Sequence, residues 1–184
     1  FSGAHYGPIP ATWQEHRRES LTGYYAAITA MDAAIGRILD RLEDDGLLDS
    51  TLVVFTGDNG MNMGHHGIWG KGNGTCPVNM YDSAVKVPAI FHMPDVIKAG
   101  QTARQLVSHY DFYETLLDFA GIGAEKDESL PGVSLKPILT GEQDELRRSI
   151  VVFDEYGPCR MIRTAVDKLV LRYPDGPNEY YDLV

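Results

Sequence analysis

Apolar residues along the first quarter of the chain recur in steps of three and four. From Leu21 they fall at Tyr24, Tyr25, Ile28, Met31, Ile35, Ile38, Leu39 and Leu42. That spacing predicts one amphipathic helix, begun by the capping-box pattern Thr12-Trp13-Gln14-Glu15 and stopped near Gly46. The pattern then changes to "STLVVFT", a near-continuous β-branched and apolar run of the kind found in strands covered on both faces. A second such run, "VPAIFHM" at 87 to 93, ends at Pro94. Helix followed by buried strand predicts an α/β layered fold, part of a mainly parallel sheet flanked by helices.

"SHYDFYETLLDFAGI" predicts a further helix, with Asp111 and Glu114 at capping-box spacing and Gly121 as terminator. Residues 123 to 148 are polar and rich in charge, and are expected to form a surface connection. After Arg148 come short β-type runs, "SIVVFDEY", "RMIRTA" and "KLVLRY", with the turn "PDGPNE" before "YYDLV". They predict a small C-terminal antiparallel β subdomain. The expected partition is therefore 1–145 for the α/β part and 146–184 for the antiparallel part. No internal repeat or low-complexity tract interrupts either.

Composition narrows the function classes. The chain has 184 residues, 43% hydrophobic and 23% charged, a globular balance. A net charge of −10 argues against a nucleic-acid surface, which needs clustered Lys and Arg. No apolar run reaches the ~18 residues of a membrane span. Residues 1 to 20 carry no basic-then-apolar leader pattern, and the compartment stays open. Cys76 and Cys159 are too sparse for a disulfide framework and are expected as free thiols. The loop-like opening "FSGAHYGPIP" and the close within a strand suggest a piece of a longer protein. A helix and sheet cut this way would leave core surface open to self-association.

Candidate chemistry concentrates in "FTGDNGMNMGHHGIWGKG", residues 55 to 72. Ligands of open α/β sheets sit beyond the carboxyl ends of strands, which is where Asp58 and Asn59 fall. A carboxylate and an amide oxygen suit Ca²⁺ or Mg²⁺ better than zinc, although Asp-Asn-Gly is also good turn chemistry. His65 and His66 lie in a glycine-flanked loop and could exchange a proton near pH 7. Lys71 stands between Gly70 and Gly72. Together these groups describe an anion site with a metal at its floor. Metal and Lys71 would neutralise a tetrahedral oxyanion while a histidine protonates the departing group.

Segments in register over nearly the whole chain resemble the sulfatase family, within the alkaline-phosphatase-like superfamily. "YYAAITAMDAAIGRILDRLEDDGLLDSTLVVFTGDNG" resembles its helix-strand-metal-loop unit. "GHHGIWGKG" resembles its Gly-x-His-Gly-x-x-x-Lys loop, and "YDSAVKVPAIFHMP" its following Tyr-Glu-x-x-x-Arg-Val-Pro strand. "SHYDFYETLLDFAGI", "LPGVSLKPILTGE" and "KLVLRYPDGPNEYYDLV" are similar to the next segments. The resemblance implies Asp58 and Asn59 as two of the Ca²⁺ ligands, and Lys71 as the contact to the sulfate group and its bridging oxygen. It also implies His66 as the loop histidine, with His65 beside it in reach of substrate.

Asp82 and Lys86 depart from the family's Glu and Arg. No Cys/Ser-x-Pro/Ser-x-Arg motif, the source of a formylglycine nucleophile, is present: Cys76 is followed by Val78 and Met80, and Cys159 by Met161 and Arg163. The Asp pair that completes the metal shell is missing as well. The expectation is the C-terminal part of a sulfatase acting on a sulfated small molecule or glycan, inactive on its own. A phosphodiesterase or phosphonate monoester hydrolase of the same superfamily, or a non-catalytic binding domain, are the alternatives.

Overall fold

The structure, a computed structural model, describes residues 11–123 and 128–184. The opening segment 1–10 and the side chains of the predicted capping box at Thr12–Glu15 lie outside the described residues. The chain forms two compact units, Phe1–Met93 and Pro94–Val184.

In the first unit, α1 runs over Ala11–Asp44. Gly46 ends it as expected, with φ at 66°. Its N–H donates to Glu43 O (2.9 Å) and the Leu47 N–H donates to Leu42 O (2.8 Å), the paired bonds of a Schellman stop. The apolar stripe is present but largely uncovered: Tyr25 and Ile38 are each 62% exposed. Beyond a short 3-10 turn come β1 (Val53–Thr56), β2 (Asn62–Met63), β3 (Trp69–Gly70), the one-turn helix α2 (Asp82–Val85) and β4 (Ala89–His92).

β1 and β4 pair antiparallel, with Val53 opposite His92 and Thr56 opposite Ala89. This corrects the mainly parallel arrangement expected for these two strands. Among the described residues every strand pair is antiparallel. The reason lies between them. A parallel return needs a crossover, usually a full helix, whereas residues 57 to 88 hold a hairpin and a helix of four residues. The strands are also less covered than their apolar runs suggest, for Ile90 is 58% exposed. The side chains buried among the described residues of this unit, Asn62, Ile68, Asn79, Met80 and Ala84, all lie in the stretch from the glycine-rich hairpin to α2.

In the second unit, α3 covers Asp111–Phe119 and α4 covers Lys136–Leu139. Asp111 is the first residue of α3 rather than its cap, which corrects the capping box expected with Glu114. Its buried carboxylate accepts the Ser108 N–H (2.7 Å), the Val133 N–H (3.1 Å) and two guanidinium bonds from Arg147 (2.9 and 2.5 Å). One turn on, Thr115 Oγ1 donates to Asp111 O (2.6 Å) and accepts the Leu135 N–H (2.8 Å). Ser134 and Lys136 hydrogen-bond the Asp118 carboxylate and hold it below the usual carboxylate range, Ser134 contributing most.

These contacts correct the reading of 123–148 as mere surface connection. Leu135 and Ile138 are buried, and Gly132 passes so close to Tyr110 that a Cβ there would sit 2.0 Å from its carbonyl oxygen. Two anchoring apolar residues diluted among charges left no periodic signal.

The four strands β5 (Ile150–Phe153), β6 (Cys159–Arg163), β7 (Asp167–Arg172) and β8 (Glu179–Asp182) form an antiparallel meander in that order. This is the small C-terminal antiparallel sheet expected from the sequence. Cys159, Met161, Val170, Lys168 and Arg172 are buried, with Arg172 paired to Glu179 at 3.1 Å. Both cysteines are free, Cys76 exposed and Cys159 buried.

Candidate active site

The candidate residues lie on and beside a hairpin. β1 ends at Thr56 and the chain bends through Asp58 and Asn59, both exposed. It then enters β2, which pairs with β3 so that Asn62 faces Gly70 and Met63 faces Trp69. Lys71 follows Gly70 directly, so it leaves the ladder at the end where the Asp58–Asn59 bend enters it. His65 and His66 occupy the other end, in the 3-10 turn His65–Gly67. The register therefore puts the chain at Asp58–Asn59 and at Lys71 on the same end of the ribbon. It sets the two imidazoles at its tip.

So glycine-rich a ribbon holds its shape through a bracket of buried polar groups. Asn62, fully buried, donates from Nδ2 to Gly70 O (3.3 Å) and accepts the Ser83 hydroxyl at 2.5 Å. The Gly60 N–H donates to Ala84 O (3.0 Å). Asn79, also buried, donates from its backbone N–H (3.0 Å) and from Nδ2 (2.9 Å) to Gly72 O. The segment from Asn79 to Ala84 thus grips the loop beside Asn59 and beside Lys71. Gly60 is obligatory here, because a Cβ would lie 2.2 Å from Ser83 O.

At the tip, Gly64 (φ 94°) and Gly67 (φ 70°) turn the chain on either side of the histidines. His66 itself sits at φ 56°, ψ 22°. It is the one non-glycine residue with positive φ among the described residues, a conformation costing about 1–2 kcal/mol. Its ring stacks on Tyr81, centroids 4.0 Å apart and planes 19° from parallel. His65 is held differently, its Nδ1 accepting the Met63 N–H at 3.2 Å. In the neutral ring this leaves the proton on Nε2.

The donor chemistry of the bend suits a hard cation. Asn59 Nδ2 donates to Gly60 O (2.9 Å), so the amide oxygen is the atom left for a ligand. With the Asp58 carboxylate it supplies two hard oxygens, the kind Ca²⁺ or Mg²⁺ takes. No group of three His, Cys, Asp or Glu side chains able to hold a metal occurs among the described residues. The bend therefore fits one side of a Ca²⁺ shell and not the whole of it. Sequence reasoning missed Asn62, Asn79, Tyr81 and Ser83, the residues that hold this site. Each is an ordinary polar or aromatic residue in a loop, and only the fold shows what it grips.

The model of the sulfatase family matches residues 2–122. The chain belongs to the sulfatase family. A second model, N-sulphoglucosamine sulphohydrolase C-terminal, matches residues 64–183. The N-acetylglucosamine-6-O-sulfatase of Bacteroides thetaiotaomicron is 38% identical over 130 residues, covering 71% of this chain. Among solved structures, a protein in complex with its substrate D-glucosamine-2-N,6-O-disulfate superposes with a TM-score of 0.74 at 34% identity. That superposition covers 86% of this chain and 33% of the other. The phosphonate monoester hydrolase from Silicibacter pomeroyi superposes with a TM-score of 0.69 at 29% identity, covering 82% of this chain and 32% of its own. The chain spans 21% of the length of the Bacteroides sulfatase. These two solved structures share the fold of this chain over the matched residues.

Proposed function

We propose that this chain supplies the leaving-group side of a sulfatase active site, in an enzyme that hydrolyses sulfate esters of a sugar or other small molecule. The observation that carries the reading is the braced hairpin, which delivers Asp58, Asn59 and Lys71 to one end of the ribbon. Asp58 and Asn59 would hold Ca²⁺, with Mg²⁺ as the substitute. When bound, that ion supplies positive charge to the sulfate oxygens. Lys71 contacts the sulfate group and the bridging oxygen, where negative charge builds as the S–O bond breaks. His66 gives a proton to the departing alcohol, and His65 contacts the substrate.

Neither cysteine suits a formylglycine nucleophile. Cys159 lies buried within β6, where burial pushes its thiol pKa up. Cys76 is exposed but lacks the motif residues around it. The nucleophile belongs, on this reading, to a part of the enzyme outside this chain, and the chain alone is inactive. The partition of 1–145 and 146–184 belongs to the same reading, with any parallel neighbours of β1 coming from the enzyme's other residues.

The test is steady-state kinetics of the full-length enzyme on aryl sulfates of graded leaving-group pKa. Interactions strengthened in the transition state appear in kcat. Lys71→Ala is expected to lower kcat by about 10²–10³, most for the poorest leaving groups. A rise in KM alone, with kcat unchanged across the series, would show that Lys71 only binds substrate. The likeness to the phosphonate monoester hydrolase favours a second reading, phosphonate or phosphate ester hydrolysis at the same hairpin. Turnover of aryl phosphonates in preference to aryl sulfates would select it.

A further inference from the structure

We propose that Tyr81 is a positioning residue for catalysis: it holds the His66 imidazole at the hairpin tip in the orientation from which the ring protonates the leaving group. This rests on the reading of His66 as proton donor. The ring of His66 is exposed and its backbone is in the left-handed region, so its own chain offers little to restrict it. Tyr81 supplies the restriction, lying nearly parallel to the imidazole at 4.0 Å. Tyr81 is itself fixed, since its carbonyl oxygen accepts the Ala84 N–H (2.8 Å) and the Val85 N–H (3.1 Å) at the start of α2.

The same turn of helix carries the Ala84 carbonyl that holds Gly60 (3.0 Å) and the Ser83 hydroxyl that holds Asn62 (2.5 Å). One element therefore sets two places at once, the start of the ribbon beside Asn59 and the imidazole at its tip. That coupling gives Tyr81 a role a generic packing residue would not have. It fixes where the proton donor stands relative to the metal-binding bend.

The experiment is a double-mutant cycle on the full-length enzyme with the graded aryl sulfates. General acid catalysis contributes about 10²–10⁴-fold, and His66→Ala is expected to lose about 10² in kcat on the poorest leaving group. Tyr81→Leu should lose about tenfold on that substrate and almost nothing on the best leaving group, which needs no proton. Tyr81→Phe, which keeps the stack, should stay near wild type. The double variant Tyr81→Leu/His66→Ala should be no slower than His66→Ala alone, since residues acting through one another are not additive.

A loss from Tyr81→Leu that is equal across the series, or that adds to that of His66→Ala, overturns the proposal. If Tyr81→Leu does not fold, Tyr81→Met repeats the test with bulk but no ring. Lys71→Ala is run alongside. If it shows its graded loss while the Tyr81 and His66 effects add, only the positioning role falls. If it shows none, the active-site reading falls and the positioning role with it.

Discussion

Helix α1 and the loop from Gly57 to Ala84 belong to the same compact unit and are built on opposite principles. α1 has the strongest pattern in the chain, with apolar residues at every third or fourth position, yet Tyr24, Tyr25, Ile28, Met31 and Ile38 are all exposed. The loop has no periodicity, is rich in glycine and polar residues, and nevertheless contains the buried side chains among the unit's described residues. A stripe tells which face a helix can bury and is silent on what covers it. The loop is held by directed hydrogen bonds to buried amides, which need a few residues placed to within tenths of an ångström and no pattern at all.

The largest expected break in this contrast comes from the loop. Gly60→Ala places a Cβ 2.2 Å from Ser83 O and cannot be accommodated without separating the bend from α2. Overpacking of this kind costs about 1–3 kcal/mol, and the backbone neighbour puts Gly60 near the upper end. Chemical denaturation would read the loss as a lower midpoint. Wild-type stability would mean that the bracket from α2 is not what holds the loop. Asn62→Ala comes next. It removes the buried amide that bridges Gly70 and Ser83, leaving the Ser83 hydroxyl without its acceptor. A cost of about 1–3 kcal/mol is expected, and hydrogen exchange should show the amides of β2 and β3 losing protection ahead of those of β1.

The smallest effect has the opposite sign and tests the other side. Gly36 lies within α1 with nothing within 4 Å of a Cβ. Gly36→Ala is expected to stabilise by about 0.5–1 kcal/mol, seen as a raised midpoint in the same denaturation. A loss instead would show that a neighbour covers this side of α1.

Much of the fold was legible because it rests on local rules. The stop of α1 at Gly46 follows from one glycine in the left-handed region, and the meander of β5 to β8 follows from short apolar runs cut by turn residues. The candidate site was legible only as a list of chemical types. Asp58, Asn59, His65, His66 and Lys71 could be named from residue chemistry and family resemblance. The register that puts Lys71 at the same end of the ribbon as the Asp58–Asn59 bend, with the histidines at the tip, could not. A two-pair ladder such as β2 with β3 is too short to leave a period in the sequence.

The direction of β4 was hidden for a related reason. A four-residue run reads alike whether its neighbour is parallel or antiparallel, and the decision lies in the geometry of the chain between. Sequence alone determined which chemical groups stand as candidates for the site, the helix and strand segments that lead to them, and the glycines at which the chain must turn. Those depend on bonded neighbours and side-chain chemistry. Tertiary structure decided that β1 and β4 run antiparallel, that Asp111 binds Arg147 rather than capping α3, and that Tyr81 lies on His66. Each of these is a contact between residues distant along the chain, and no local preference favours one partner over another until the fold brings them together.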